Sequence, residues 1–134
     1  MSKDLSVFTD EAVDAIFERD DDRCAKCGMQ WDRDYGRSVL WSIHHRKARG
    51  SGGSKKNPTI GDVSNGIIAC GHGTIGCHRA IETFRADSMR DGFLVSRNGV
   101  RHAWEVPIKH AVHGWCLLTR DGKWEPYAPE KEAA

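Results

Sequence analysis

The sequence predicts a small α+β domain that is held together by a metal ion. An amphipathic helical pattern opens the chain, and two cysteine pairs, Cys24 with Cys27 and Cys70 with Cys77, flank a predicted pair of strands. Short strands separated by turns follow towards the C-terminus. Because 134 residues is the length of one domain, we treat residues 1–134 as a single unit.

Residues 9–21 are predicted to form the N-terminal helix. Thr9 can cap the helix, and two acidic residues that follow it suit the positive end of the helix dipole. Four apolar residues recur at helical spacing: Ala12, Val13, Ile16 and Phe17. We therefore expect this helix to pack against the core.

Two strands and a second helix are predicted next. Residues 37–45 alternate in a strand-like pattern, residues 49–56 form a Gly/Ser-rich loop, and residues 65–69 are a second short strand. Residues 78–86 have helical character. One face of that helix would carry four side chains: His78, Ile81, Glu82 and Arg85.

Beyond residue 91 the pattern changes to short strands broken by turns. The predicted strands cover residues 92–97, 103–108, 114–119 and 124–127, and the Asp121-Gly122 dipeptide is typical of a hairpin turn. We expect this β extension, residues 92–127, to add four apolar side chains to the core: Trp104, Trp115, Leu117 and Trp124.

The four paired cysteines are predicted to bind a structural zinc ion. Cys24-Ala-Lys-Cys27 is a tight CxxC turn, and the second pair is separated by GHGTIG, whose glycines allow the loop to fold back. A redox CxxC or unpaired buried thiols are the alternatives, and His72 could replace Cys70 or Cys77 as a ligand. Cys116, between Trp115 and Leu117, is predicted to be a buried apolar residue.

The distribution of charge is more informative than its sum. The net charge is +1, but residues 37–56 hold six Arg or Lys and no acid, whereas residues 4–22 hold eight acids. A basic band of this kind can be a phosphate-contacting surface, although a solvated face is the commoner explanation. No apolar run has the length of a membrane span and no signal peptide is evident, so we expect no membrane partner and a cytoplasmic protein.

Two adjacent histidines, His44 and His45, stand at the start of the basic band. They could belong to a solvated turn, or to a metal-dependent site that hydrolyses phosphodiesters. His78 and Glu82 lie one helical turn apart, so they could offer an imidazole and a carboxylate to one metal ion.

Four motifs in order, CAKC, SIHHRKARGSGGS, SNGIIAC and GCHRAIE, resemble those of the HNH endonuclease family. The likeness covers residues 24–86 and is strongest to the small zinc-stabilised HNH proteins of bacteriophages. It implies a ββα-metal (His-Me finger) core that is stabilised by a four-cysteine structural zinc site, with the N-terminal helix and the β-hairpin region as additions.

The resemblance also implies roles for individual residues. His44, His78 and Glu82 would bind a catalytic divalent ion, either Mg²⁺, Mn²⁺, Ni²⁺ or Zn²⁺. His45 would be the general base, and Asn65 would hold the loop and orient His45 through its amide. In a regular strand His44 and His45 point to opposite faces, so they can share a site only if the strand ends there.

The expected activity is hydrolysis of DNA phosphodiester bonds by a monomer, with Arg46 and Arg49 clamping neighbouring phosphates. A host-cytoplasmic, phage-encoded protein linked to DNA packaging and to terminase subunits would fit the resemblance. The alternative is a non-catalytic, zinc-stabilised module that binds DNA or assists a terminase.

Overall fold

A computed structural model describes residues 4–49 and 57–128. In that part of the chain the elements are, in order, α1 (Asp10–Arg19), β1 (Trp41–His45), β2 (Gly66–Cys70), α2 (Gly76–Thr83), α3 (Arg85–Asp91), β3 (Ile108–His110), β4 (Gly114–Leu118) and β5 (Trp124–Pro126). Two short 3-10 turns, Val63–Asn65 and Ala103–Glu105, precede β2 and β3. Helices and antiparallel sheets confirm the predicted α+β class.

Helix α1 forms for the local reasons that the sequence suggests. The hydroxyl of Thr9 accepts a hydrogen bond from the backbone N–H of Ala12 at 3.1 Å, which satisfies one of the free donors at the helix start. Val13, Ile16 and Phe17 are buried on one face. The helix is shorter than predicted because the next residues adopt non-helical backbone angles and turn the chain towards the first cysteines.

Strand β2 is the centre of the fold. It pairs with β1 in antiparallel register, from Trp41 opposite Cys70 to His45 opposite Gly66. Ile68 packs with α1, whereas Ile67 and Ala69 face a second cluster that includes Ile81 of α2 and residues of the C-terminal sheet. Burial on both faces explains why this strand is a continuous apolar run.

The three-stranded sheet β3-β4-β5 is joined to the first sheet through the turn between Cys24 and Cys27. The backbone N–H of Ala25 donates to the carbonyl of Ile68 at 2.9 Å, and its carbonyl accepts from the N–H of Ala111 at 2.7 Å. A single buried residue therefore connects both sheets through its main chain.

Several predicted boundaries are wrong. Residues 92–97 do not form a strand, and residues 103–105 form a 3-10 turn before a strand that starts at Ile108. The helix predicted over residues 78–86 is two helices, because Phe84 has a non-helical ψ of 65°. The hydroxyl of Ser88 then donates to the carbonyl of Ile81 at 2.7 Å and satisfies the end of α2.

The predicted core face of the C-terminal strands is also wrong. Cys116 and Leu118 of β4 are buried, whereas the alternating residues Trp115 and Leu117 are only half-buried. Trp124 is 40% exposed and stacks on the ring of His113. Successive side chains of a strand face opposite sides of the sheet. An error of one residue in the predicted buried positions therefore exchanges the buried and the exposed faces of the strand. The predicted burial of Cys116 is confirmed.

Trp104 is likewise not part of the core, because it is half-buried and lies between the side chains of His102 and Arg120.

A buried charge network fastens the end of α1 to the C-terminal sheet. Both carboxylate oxygens of Asp20 accept hydrogen bonds from Arg19, at 2.8 and 2.7 Å, and neither side chain is exposed. Arg19 also donates to the carbonyls of Val63 and Gly66. Although burial acts to raise the pKa of Asp20, Arg19 holds that pKa well below its usual value.

The Asp20→Asn substitution should destabilise the fold, because it leaves the Arg19 charge buried without its anion. We expect a loss of about 3–5 kcal/mol in the free energy of unfolding, measured by urea denaturation. The control is Asp14→Asn, which removes one of the two carboxylates paired with Arg33 at an exposed position and should cost less than about 1 kcal/mol. Similar losses in both variants would contradict a structural role for the buried pair.

Candidate metal centres and the histidine cleft

Four cysteine sulfurs from three segments of the chain meet in one place. One ligand atom from each of Cys24, Cys27, Cys70 and Cys77 lies within 4.8 Å of all the others. The first two come from the turn after α1, the third ends β2, and the fourth lies in the first turn of α2. The prediction that these cysteines form one cluster is confirmed, and the cluster could hold a metal ion.

The loop between Cys70 and Cys77 is a defined turn. His72 and Ile75 exchange two backbone hydrogen bonds of 3.1 Å. Gly71 and Gly76 both have positive φ, and a Cβ on either would lie 2.7 Å or less from a backbone oxygen. The ring of His72 contacts Thr74 instead of joining the sulfur cluster, so this alternative ligand is not supported.

The chemistry of the cluster fits a divalent cation. Burial raises the pKa of Cys70 to about 12 and also raises the pKa of Cys77, so these thiols resist ionisation without a positive partner. A bound cation would stabilise the thiolate forms. The indole N–H of Trp31 lies 3.4 Å from the sulfur of Cys70, where it can donate to a thiolate.

The second candidate centre consists of His44, His78 and Glu82, whose ligand atoms also lie within 4.8 Å of one another. His44 is on β1, and the other two residues are one turn apart on α2. The rings of the two histidines meet edge to face, with centroids 5.0 Å apart. The three residues that the resemblance assigns to the catalytic ion are therefore neighbours in space.

Each histidine of this group is oriented by a second contact. His44 Nε2 lies 3.0 Å from the carbonyl of Phe93, which can only accept, so Nε2 carries the proton and Nδ1 keeps its lone pair. His78 Nδ1 lies 2.7 Å from the hydroxyl of Ser42, and its Nε2 lies 3.2 Å from Glu82. Partners on the far side of the ring are typical of metal-binding histidines. Burial lowers the pKa of His44 to about 3, so the ring is neutral at pH 7.

His45 lines the same cleft as the candidate metal group although it neighbours His44 in the strand. The β1-β2 ladder ends at His45, and both histidines line one cleft of about 450 Å³ together with His78 and Glu82. The ring of His45 stacks on Phe8, with centroids 4.3 Å apart. The condition that the strand must end at this point is met.

The N-terminal segment fixes the protonation of His45. Its Nε2 lies 2.8 Å from the carbonyl of Ser6, so Nε2 donates and Nδ1 is the basic nitrogen. Burial lowers the pKa of His45, and the nearby positive charge of Arg49 lowers it further. A neutral imidazole at neutral pH can accept a proton.

Asn65 holds the loop, but its amide does not contact His45. Its Oδ1 accepts from the N–H of Lys47 at 2.7 Å, and its Nδ2 donates to the carbonyls of Lys47 and Ile60. Its own carbonyl accepts from the N–H of Arg46. The predicted amide contact with His45 is wrong, because the amide is used by the main chain of Lys47 and Ile60.

Arg46 is not a phosphate ligand. Its side chain is fully buried and donates to four backbone carbonyls, those of Ser64, Gly92, Ala103 and Val106. Burial lowers its pKa to about 9, so it remains a cation at pH 7. The predicted phosphate contact is wrong, because hydrogen bonds to these carbonyls, which are distant in sequence, occupy the guanidinium in the interior.

Arg49 lies at the cleft, and its side chain is 46% exposed. It donates to the hydroxyl of Ser6 at 3.1 Å and to the carboxylate of Asp4 at 2.8 Å. A phosphate would have to compete with these partners. The rest of the predicted flexible loop, residues 50–56, lies outside the described residues.

Sequence reasoning missed three side chains at this site. Ser42 lies two residues before His44 on the same strand face, so the period of two could have identified it. Arg85 and Arg97 line the cleft. The sequence pattern puts Arg85 on the His78 face without giving it a role, and it puts Arg97 in a predicted strand that does not form.

A third cluster, Asp20 with His110 and His113, also brings possible ligand atoms together. The positions of its protons disfavour a metal. His110 Nδ1 accepts from the N–H of Val112, so its Nε2 carries the proton; this atom lies 3.1 Å from Asp20 but off the direction of a hydrogen bond. With Arg19 on both oxygens of Asp20, we interpret the cluster as part of the buried charge network.

Comparison of the chain with protein-family models, curated proteins and solved structures finds no significant match. None of the helices in the described residues combines the length and the apolar character needed to cross a bilayer.

The Cys27→Ser substitution should lower the metal content of the purified chain, because it removes one of the four sulfurs that could hold an ion. Elemental analysis of the purified chain should find about one zinc ion fewer per chain than in the unsubstituted protein, and the midpoint of thermal unfolding should fall by roughly 10 °C or more.

Two matched controls separate the cluster from its surroundings. Cys116→Ala changes a buried cysteine outside the cluster, and His72→Ala changes the alternative ligand. Both variants should retain zinc. Equal zinc content in Cys27→Ser and Cys116→Ala would rule out the sulfur cluster as the binding site.

Proposed function

We propose that the protein is a metal-dependent endonuclease of the HNH type that hydrolyses phosphodiester bonds of DNA. The observation that carries the proposal is the meeting of His44, His78 and Glu82 in one cleft with His45. Three of these groups can bind a cation, and the fourth is a neutral imidazole with one basic nitrogen. This combination suits hydrolysis of a phosphodiester.

In this proposal β1, β2 and α2 are a ββα-metal core, and the sulfur cluster is its structural zinc site. The antiparallel pairing of the two strands and the packing of α2 on β2 support that interpretation. The sulfur cluster links the end of β2 to the start of α2. A metal ion at that point would fix the distance between the strand histidines and the helix residues.

The residues of the second centre suit a divalent catalytic ion. His44 offers the Nδ1 lone pair because its Nε2 donates to a carbonyl, and His78 and Glu82 offer an imidazole nitrogen and a carboxylate oxygen. When bound, a divalent cation supplies a Lewis acid that binds the scissile phosphate and offsets charge on the departing 3′ oxygen.

His45 would act as the general base. Its Nδ1 accepts a proton from the attacking water while the water oxygen forms a bond to phosphorus and the bond to the 3′ oxygen breaks. The departing oxygen takes a proton from solvent, so the products are a 5′-phosphate and a 3′-hydroxyl. The carbonyl of Ser6 and the ring of Phe8 hold the imidazole in one orientation during this transfer.

The His45→Ala substitution should abolish most cleavage, because the proton acceptor is lost. Purified protein is incubated with supercoiled plasmid and Mg²⁺, Mn²⁺ or Ni²⁺, and formation of nicked or linear DNA is followed on gels. We expect the rate to fall roughly 100-fold to 10,000-fold. His102→Ala, a histidine outside the cleft, should retain the activity.

The same assay separates the proposal from its alternative, a non-catalytic zinc-stabilised module that binds DNA or assists a terminase. That alternative predicts salt-dependent binding of DNA without cleavage by any of the ions. Absence of nicking by the unsubstituted protein, or equal nicking by His45→Ala, would overturn the endonuclease proposal.

A further inference from the structure

The cleft beside the histidines carries two arginines that have no partner in the described part of the chain. Arg85 and Arg97 both line it, both are exposed, and neither side chain makes an ion pair or hydrogen bond with another described residue. The other two arginines of the cleft are already engaged, since Arg46 is buried against carbonyls and Arg49 pairs with Asp4. Arg85 and Arg97 are therefore available to a ligand.

The two arginines come from different segments, and both segments are anchored to the site. Arg85 begins α3, directly after the helix that carries His78 and Glu82. Arg97 follows Val95, whose backbone N–H donates to the carbonyl of Arg46 at 2.8 Å. The backbone positions from which both arginine side chains extend are thus set relative to the histidines.

The charge of the cleft identifies the kind of ligand. Glu82 is the one acid among the described residues that line it, and that carboxylate belongs to the candidate metal group. Two free guanidinium groups beside a cation site call for an anion with more than one charged centre. Because arginine binds phosphate oxygens in a bidentate manner, a chain of phosphates fits better than a single phosphate.

We infer that Arg85 and Arg97 bind the phosphates that flank the scissile one, so the cleft accepts an internal position of a polynucleotide and not a mononucleotide or a terminal phosphate. This inference rests on the proposed function. Arg85 and Arg97 would then contact the DNA backbone in place of Arg46, for which that role was predicted from the sequence. A small phosphodiester without neighbouring phosphates should then gain nothing from these two arginines.

The first test measures binding of labelled duplex DNA at several salt concentrations in the His45→Ala background, without added divalent ion. Removing both arginines (Arg85→Ala with Arg97→Ala) should weaken binding about tenfold or more. The plot of log affinity against log salt concentration has a negative slope, and the magnitude of that slope should fall by about 2. Arg79→Ala is the matched control, because Arg79 is an exposed arginine of α2 without a described partner and does not line the cleft.

The second test compares two substrates with His45 intact. The double variant should nick plasmid at least about tenfold more slowly, whereas its hydrolysis of bis(p-nitrophenyl) phosphate should be unchanged. Equal zinc content and unfolding midpoint in all variants would show that the fold is retained. Arg79→Ala should alter neither substrate.

The outcomes distinguish this inference from the proposed function. Unchanged DNA affinity in the double variant, or an equal loss in Arg79→Ala, would overturn the role of Arg85 and Arg97 whether or not the protein cuts DNA. An equal loss of rate on plasmid and on the small diester would also overturn it. If the double variant binds DNA more weakly but no protein in the series cleaves DNA, the phosphate contacts of Arg85 and Arg97 would be supported and the endonuclease proposal would be overturned.

Discussion

Four sulfur atoms from three segments of the chain converge within 4.8 Å, and the geometry of the histidine cleft depends on that convergence. Cys70 and Cys77 lie on either side of a tight turn, so the end of β2 and the start of α2 are held together. His44 on the neighbouring strand can then face His78 on the helix. In a domain of this size, a bound ion at the sulfurs would supply cohesion that a small apolar core cannot.

Arginines serve two different purposes in this protein, and burial separates them. Arg19 and Arg46 lie in the interior, where their donors are taken by a carboxylate or by backbone carbonyls from separate loops. Such contacts hold together segments that have no strand or helix pairing of their own. Arg85 and Arg97 are exposed beside the candidate metal group and keep their donors free among the described residues. The arginines of this protein therefore include structural residues of the interior as well as exposed groups that can contact a ligand.

Features that depend on local sequence could be predicted. The cap and apolar face of α1 follow from neighbouring residues, and the cysteine spacing was sufficient to predict the sulfur cluster. Features set by distant partners could not. Arg46 is buried because four carbonyls that are remote in sequence accept hydrogen bonds from its guanidinium, and β4 turns Cys116 inward because its pairing with β3 and β5 sets the face. Among the missed residues, Ser42 could have been identified from its spacing to His44 and Arg85 from its position on the His78 face, whereas nothing in the sequence pointed to Arg97.

The contact between His45 and the N-terminal segment links the orientation of the proposed general base to the packing of the chain ahead of α1. The imidazole is held by the carbonyl of Ser6 and the ring of Phe8, neither of which belongs to the sheets or to the sulfur cluster. Proteolytic clipping just ahead of Thr9 would leave both candidate metal groups in the remaining chain but would release the imidazole to rotate and exchange tautomers. Because Phe8 is also a buried member of the core cluster around α1, the same trimming would weaken that part of the core.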